Sequence, residues 1–271
     1  MRDTKVFLVS GATRGLGRSL ADELAGRGHI VYGTGRSWSD AEPVLTFHSI
    51  TMDVRDDESV KAATEKIFEA EQCIDVLINN AGISLSGSIE ETPVDKVRNL
   101  LETNYLGVVR TLQAVLPLMR KQGFGTIVNI GSAAGKIAVP FQSHYSASKF
   151  AIEGLTEALY QELSGSGIRV LLIEPGDVKT TIWERSEHLV DQDSPYLDAL
   201  VRFHAVKKKD MAGSADSPAR VAARIADIIE SDTKTLRHPV AKKAGFFLLA
   251  RKLLPDPIFL WAVRRSYRIE K

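Results

Sequence analysis

The amino-acid sequence predicts an α/β fold of three layers: a mostly parallel, doubly wound sheet with helices on both faces. Three observations predict it. Short runs that are apolar throughout recur along the chain, separated by amphipathic stretches of helix length; such runs belong to strands covered on both faces. A glycine-rich turn, "SGATRGLG", stands between the first apolar run and the first helical pattern. The length of 271 residues suits one large α/β domain, 1–271, better than two small ones.

Each element follows from its local pattern. The first strand is read at 6–9, and the helix at 17–27 follows the glycine turn. A second strand is read at 30–32 and a weaker, alternating candidate at 45–52. A helix at 57–71 leads to a strand at 75–78. Helices at 94–101 and 105–121 precede a strand at 125–130, and a helix at 147–164 precedes a strand at 168–173. A last helix is read at 218–231. The stretch from Gly176 to Ser217 breaks this rhythm, and a connection of that length is usually functional or disordered. Its part 181–216 is read as a substrate lid, because it carries Trp183, Tyr196 and Phe203. The segment 241–271 alternates apolar and basic blocks, and Pro255 and Pro257 divide it into two short helices.

Composition bounds the setting. The net charge is +1, which points to no nucleic-acid partner, yet the charge is unevenly spread. Residues 201–271 hold 16 Lys and Arg against 7 Asp and Glu, whereas residues 1–200 hold 19 against 27: a basic tail on an acidic body. The single cysteine, Cys73, forbids a disulfide within the chain and fits a reducing compartment. No stretch reaches the roughly 18 apolar residues of a membrane span, and the start of the chain shows no secretion signal. The expected location is cytoplasmic, with membrane association through the tail as the open variant.

Gly11, Gly15 and Gly17 are spaced G-x-x-x-G-x-G ahead of a helix. Glycines let the backbone turn tightly, and a helix N-terminus offers N–H groups and a positive dipole end to a phosphate. This predicts a bound dinucleotide. An enzyme that prefers NAD usually carries an acidic residue at the end of the second strand; Gly35-Arg36 stands there instead, with Arg14 inside the glycine loop. Two guanidiniums favour a 2′-phosphate, hence NADP(H) over NAD(H). Tyr145 and Lys149 lie at i and i+4, which puts them on one helix face. A cation there would lower the tyrosine pKa and fit it for general acid–base work. Ser132 ends the fifth strand, where a doubly wound sheet opens its crevice.

These residues together resemble a short-chain dehydrogenase/reductase of the compact subgroup. The resemblance rests on the glycine loop, Asp53, "NNAG" at 79–82, Asn104, Ser132, Tyr145 with Lys149, and Pro175-Gly176 followed by Thr180. Ser10 replaces the family's usual threonine and keeps its hydroxyl. The resemblance implies a Rossmann-type sheet of seven strands, an NADP(H)-dependent oxidoreductase acting on CH–OH, and a homodimer or homotetramer. It gives Tyr145 the proton transfer, Lys149 the tyrosine pKa and the nicotinamide ribose, Ser132 the substrate oxygen, and Asn104 a water relay to Lys149. In the cofactor site it places Gly11, Thr13, Arg14, Gly15, Leu16 and Gly17 of the loop, with Arg36. Asp53 and Val54 would meet the adenine, and Asn80, Ala81 and Gly82 would line the cleft. Pro175, Gly176, Val178 and Thr180 would cover the nicotinamide. No metal is expected.

The substrate side is sparser. Ser132 and Tyr145 would be joined there by Phe141 and Trp183, with Val139, Ser84, Leu85 and Phe203 nearby, which suits an apolar ketone, aldehyde or secondary alcohol. A ketoreductase for carrier-bound acyl chains or lipid- or steroid-like substrates is the second reading, and a non-catalytic nucleotide sensor the third. For the tail, packing on the body or a dimer partner, lying on an anionic membrane, and docking an acidic partner stay open.

Overall fold

The computed structural model describes residues 4–38, 46–180, 182, 186–189, 191–213, 215–240 and 244–269, with side chains from 249 onward in the last stretch. The chain runs β1 (Val6–Val9), α1 (Gly15–Gly26), β2 (Ile30–Gly35), β3 (His48–Thr51), α2 (Asp57–Glu71) and β4 (Val76–Asn79). It continues through β5 (Leu85–Ser86), α3 (Val94–Leu101), a π-helical turn (Glu102–Leu106), α4 (Gly107–Gln122), β6 (Gly125–Ile130) and a 3-10 turn (Ala133–Gly135). Then come α5 (Ser143–Glu162), β7 (Ile168–Pro175), β8 (Glu187–His188), α6 (Leu197–Gly213), α7 (Pro218–Glu230), β9 (Arg237–Val240), α8 (Ala244–Leu253) and α9 (Asp256–Ser266).

Seven strands form one sheet in the order β3-β2-β1-β4-β6-β7-β9, and every pair in it is parallel. The apolar runs explain this: Val6–Val9 and Val76–Asn79 are buried at every position, as strands covered on both faces must be. One layer packs α2, α4 and α5 against the sheet through Val60, Ile67, Leu112, Val115, Met119 and Ile152. The other packs α1 and α7 through Leu20, Leu24, Val221, Ile225 and Ile229. The strand order reverses between β1 and β4, which opens a crevice at their carboxyl ends.

The sequence boundaries shift in physically readable ways. Helix α2 has its expected bounds, because Asp56 caps it by accepting from the Glu58 and Ser59 amides and Gln72 ends it at φ 60°. Helix α5 begins four residues before the predicted 147, with Ser143, His144, Tyr145 and Ser146 in its first turn. Tyr145 and Lys149 therefore do share a helix. The predicted helix 105–121 begins instead with the π-helical turn. Strand β9, Arg-His-Pro-Val, was absent from the pattern: it is short and its Pro is a poor strand residue. The lid contains helix α6, of 17 residues, and β8, which pairs with β5. The tail forms two short helices as expected, with Pro255 at the N-cap of α9 and Pro257 in its first turn.

Candidate active site

The glycine loop is shaped by close backbone approach. A Cβ on Gly17 would lie 2.3 Å from both the Gly11 carbonyl oxygen and Asn80 Nδ2, and one on Gly11 would lie 2.8 Å from Ala81 Cα at a φ of +69°. Only glycine fits such positions. The Asn80 side chain donates to the carbonyls of Ser10 and Gly11 at 3.0 and 3.2 Å, and the Ser10 hydroxyl accepts from the Asn80 and Ala81 amides. Asn80 thus braces the loop rather than facing the cleft. Arg14, the residue before α1, makes no side-chain cap and the first turn holds no acid, so its amides are offered to an anion. On the far side Thr180 stands over Gly15, 3.4 Å from where a Cβ would be. This uncapped, glycine-lined cradle fits a dinucleotide diphosphate.

Around the adenine side, Arg14 and Arg36 are exposed. Asp53 is held by Arg55, 2.7 Å away, whose guanidinium keeps its carboxyl below the usual range. Val54 is buried, and its side chain packs on Gly107; only its backbone is left for an adenine. Thr13 packs against Gly35, and Leu16 joins the α1 core. Gly82 lies beside the Asn104 side chain. Pro175 ends β7, Gly176 donates to the Val240 carbonyl at 3.0 Å, and Val178 is buried in a bridge to Asp216.

Asn104, Ser132, Tyr145 and Lys149 converge at the carboxyl end of β6. Asn104 sits in the π-helical turn, a distortion frequent at functional sites. Its Oδ1 accepts from the Ile83 amide at 2.8 Å, and its Nδ2 donates to the Ile83 carbonyl at 2.9 Å and to Ser148 Oγ at 3.1 Å. The side chain is thereby committed to positioning β4's exit against α5. Ser132 opens the 3-10 turn, its Oγ accepting from the Ala134 amide at 3.1 Å. The Ser132 hydroxyl lies near enough to the Tyr145 phenol to lower its pKa. Lys149 is buried; its Nζ donates to the Ile130 carbonyl at 2.8 Å and lies 5.9 Å from the Tyr145 ring centroid.

The electrostatics differ from the sequence expectation. Burial pushes the Tyr145 phenol up; the groups that pull it back are the Ser132 hydroxyl and the Lys207 ammonium, while Asp177 adds to the rise. Burial lowers Lys149's own pKa to about 8. The ammonium hydrogen-bonds the Ile130 carbonyl at the end of β6. Two hydroxyls side by side, one of them tunable by charge, can bind a carbonyl oxygen and pass it a proton.

Residues 5–190 match the family model for short chain dehydrogenases. The chain is a short-chain dehydrogenase/reductase. It is 35% identical over 268 residues to a 3-ketodihydrosphingosine reductase of Bacteroides thetaiotaomicron, covering 98% of each chain. It is also 35% identical to human 17-beta-hydroxysteroid dehydrogenase type 1, over 93% of this chain and 81% of that one. Its fold superimposes on a short-chain dehydrogenase from Streptomyces avermitilis with a TM-score of 0.79 at 29% identity, covering 99% and 97% of the two chains. It is accordingly an oxidoreductase that interconverts an alcohol and a ketone with NAD or NADP. Among the described residues no cluster of side chains could hold a metal ion, and no helix is long and apolar enough to cross a membrane.

On the substrate side of this dehydrogenase/reductase, Phe141 adopts a φ of 57°, a strained conformation for a bulky residue. It is held by the Gly87 amide, which donates to its carbonyl at 2.9 Å. Its ring meets Phe203 at 5.7 Å and Tyr196 at 6.4 Å, beside a shallow cleft of about 360 Å³. Phe203 is wholly buried, so it anchors α6 instead of facing a substrate. Trp183 lies outside the described residues. Sequence reasoning missed Lys207, Asp177 and Tyr267. Lys207 is buried on α6 and paired with Asp177 at 2.7 Å. Tyr267 meets Phe203 with ring centroids 5.3 Å apart, the planes tilted by 49°. The signal was present: Leu200, Phe203 and Lys207 fall on one helical face, but Lys207 opens a run of three lysines that reads as solvated.

Proposed function

We propose that this enzyme reduces the ketone of a long-chain or steroid-sized lipid, with NADPH as the preferred coenzyme. The observation that carries the reading is the Ser132 hydroxyl acting on the buried Tyr145 phenol, with Phe141 and Tyr196 lining a cleft near the start of the same helix α5. Bound NADPH supplies the hydride. Ser132 donates a hydrogen bond to the ketone oxygen and polarises it. Tyr145 gives that oxygen its proton as negative charge develops there. Lys149 holds the nicotinamide ribose from the floor of the crevice, and Asn104 fixes the geometry of β4 and α5 around it. Arg14 and Arg36 favour the 2′-phosphate by charge, and cellular NADPH favours reduction. The relatives support the substrate class: one acts on 3-ketodihydrosphingosine and another on a 17-hydroxysteroid, both large and apolar. In the same reading the enzyme assembles as a homodimer or homotetramer, supported by the exposed apolar Phe150 and Tyr160 on α5.

Initial rates on a ketone series, from acetone-sized compounds to 3-keto sphingoid bases and steroids, test this with NADPH and NADH in parallel. The reading expects kcat/KM to rise with apolar size and to be higher with NADPH. Turnover confined to small polar ketones would overturn the substrate class. Turnover only with carrier-bound acyl chains would favour the ketoreductase reading, and tight coenzyme binding without any turnover would favour a sensor.

A further inference from the structure

Large apolar side chains are seldom left exposed side by side on a soluble protein. Of the thirteen that stand well exposed among the described residues, six fall between 249 and 261: Leu249, Leu253, Leu254, Ile258, Leu260 and Trp261. They line α8 and α9, the two helices after the last sheet strand. In contrast Phe259 is buried, with the Arg251 guanidinium 5.2 Å from its ring centroid. Within 244–269 Asp256 is the only acidic residue, and it is spent on an ion pair with Arg251. Lys252, Arg264 and Arg265 stand exposed around the apolar side chains, and Arg265 sits 5.7 Å over the Trp261 ring. Apolar and indole groups interleaved with cations match an interface of hydrocarbon and anionic headgroups.

We infer that the α8–α9 segment is a docking surface for an anionic phospholipid bilayer. A bilayer fits better than a protein groove on charge grounds, since the patch offers a cationic rim and no uncompensated acid. The segment is also tied to the substrate side. Tyr267, just past α9, packs its ring against Phe203, and Phe203 meets Phe141. The Arg202 guanidinium of α6 donates to the Arg268 carbonyl at 2.8 Å and to that of Ile269 at 3.2 Å. Docking of this segment therefore sets the lid helix beside the membrane, where a lipid ketone would be drawn from. That functional meaning rests on the substrate reading above; the docking itself does not.

The test is flotation of the full chain with vesicles of phosphatidylcholine alone and of phosphatidylcholine with phosphatidylserine, without substrate. Binding is expected to the anionic vesicles and to weaken with salt. Lys252→Gln with Arg265→Gln should lower the partition constant about 25-fold, about fivefold per cation. Leu253→Ser with Trp261→Ser should abolish binding, while Val94→Ser, an exposed apolar residue elsewhere, should leave it unchanged. All replaced side chains are exposed, and melting curves verify that the variants fold. Absence of binding to either vesicle overturns the proposal. So does a self-association lost in the Leu253/Trp261 variant without vesicle binding, which would make the patch a contact between copies. Intact vesicle binding with no activity on lipid ketones overturns the substrate reading alone.

Discussion

Replacing Lys149 with methionine should destroy turnover and stabilise the protein. The magnitude follows from burial. The ammonium is held in the crevice with its pKa lowered from 10.5 to about 8, so below pH 8 the folded state carries a charge it disfavours. At about 1.4 kcal/mol per pKa unit this costs roughly 3 kcal/mol. Against it, methionine leaves the Ile130 carbonyl, which accepts from Lys149 Nζ at 2.8 Å, without a partner, a loss of about 1–2 kcal/mol. The net gain is about 1–2 kcal/mol, or about 2–4 °C in Tm for a domain of this size. The pH dependence gives the sign. The unfolded chain binds the Lys149 proton up to 10.5 and the folded chain only to about 8, so wild-type stability gains with rising pH across that window. The advantage of Lys149→Met should accordingly shrink from pH 8 to about 10.5. Differential scanning calorimetry of both proteins at pH 7, 8.5 and 10 measures it. A variant less stable than wild type at pH 7, or a pH-independent difference, refutes the assignment of a strained buried ammonium.

Gly17→Ala should weaken NADPH binding at least tenfold and cost about 1–3 kcal/mol, because its Cβ would sit 2.3 Å from the Gly11 carbonyl; fluorescence titration and melting read both. Glu174 is buried against Glu153, and burial with that neighbouring carboxylate raises its pKa from 4.5 to about 7. Glu174→Gln should therefore stabilise the protein above pH 7, with the gain fading as pH falls toward 4.5, where the native acid is protonated in both states. Arg36→Asp should shift the NADPH/NADH ratio of kcat/KM at least about tenfold toward NADH, the value of a charged hydrogen bond. An unchanged ratio would remove Arg36 from the 2′-phosphate.

The central sheet was legible because its strands are buried on both faces and read as unbroken apolar runs. Strand β9 escaped because Arg237, His238 and Pro239 carry no such signal. Tyr145 with Lys149 was legible by spacing, Ser132 by its place at a strand end and Asn104 through the family resemblance, and the structure brings the four to one end of β6. Their electrostatics were not. Spacing places Lys149 one turn from Tyr145, but the direction of its ammonium is set by the Ile130 carbonyl across the chain. Two charges that act on Tyr145, Lys207 and Asp177, come from later in the sequence, and Lys207 was hidden in a run of lysines. Asn80 was read as lining the cleft, since sequence cannot reveal that its amide would be consumed by Ser10 and Gly11. In each case the missing information is a long-range contact, which only the folded chain supplies.

The most direct measurement is NADPH oxidation by Tyr145→Phe with a long-chain ketone, alongside its NADPH dissociation constant. Loss of the phenolic proton should lower kcat by about 10²–10⁴ while the dissociation constant stays within about threefold of wild type. A phenylalanine variant that turns over near the wild-type rate would contradict the account, since no other group beside Ser132 would then be needed to deliver the proton.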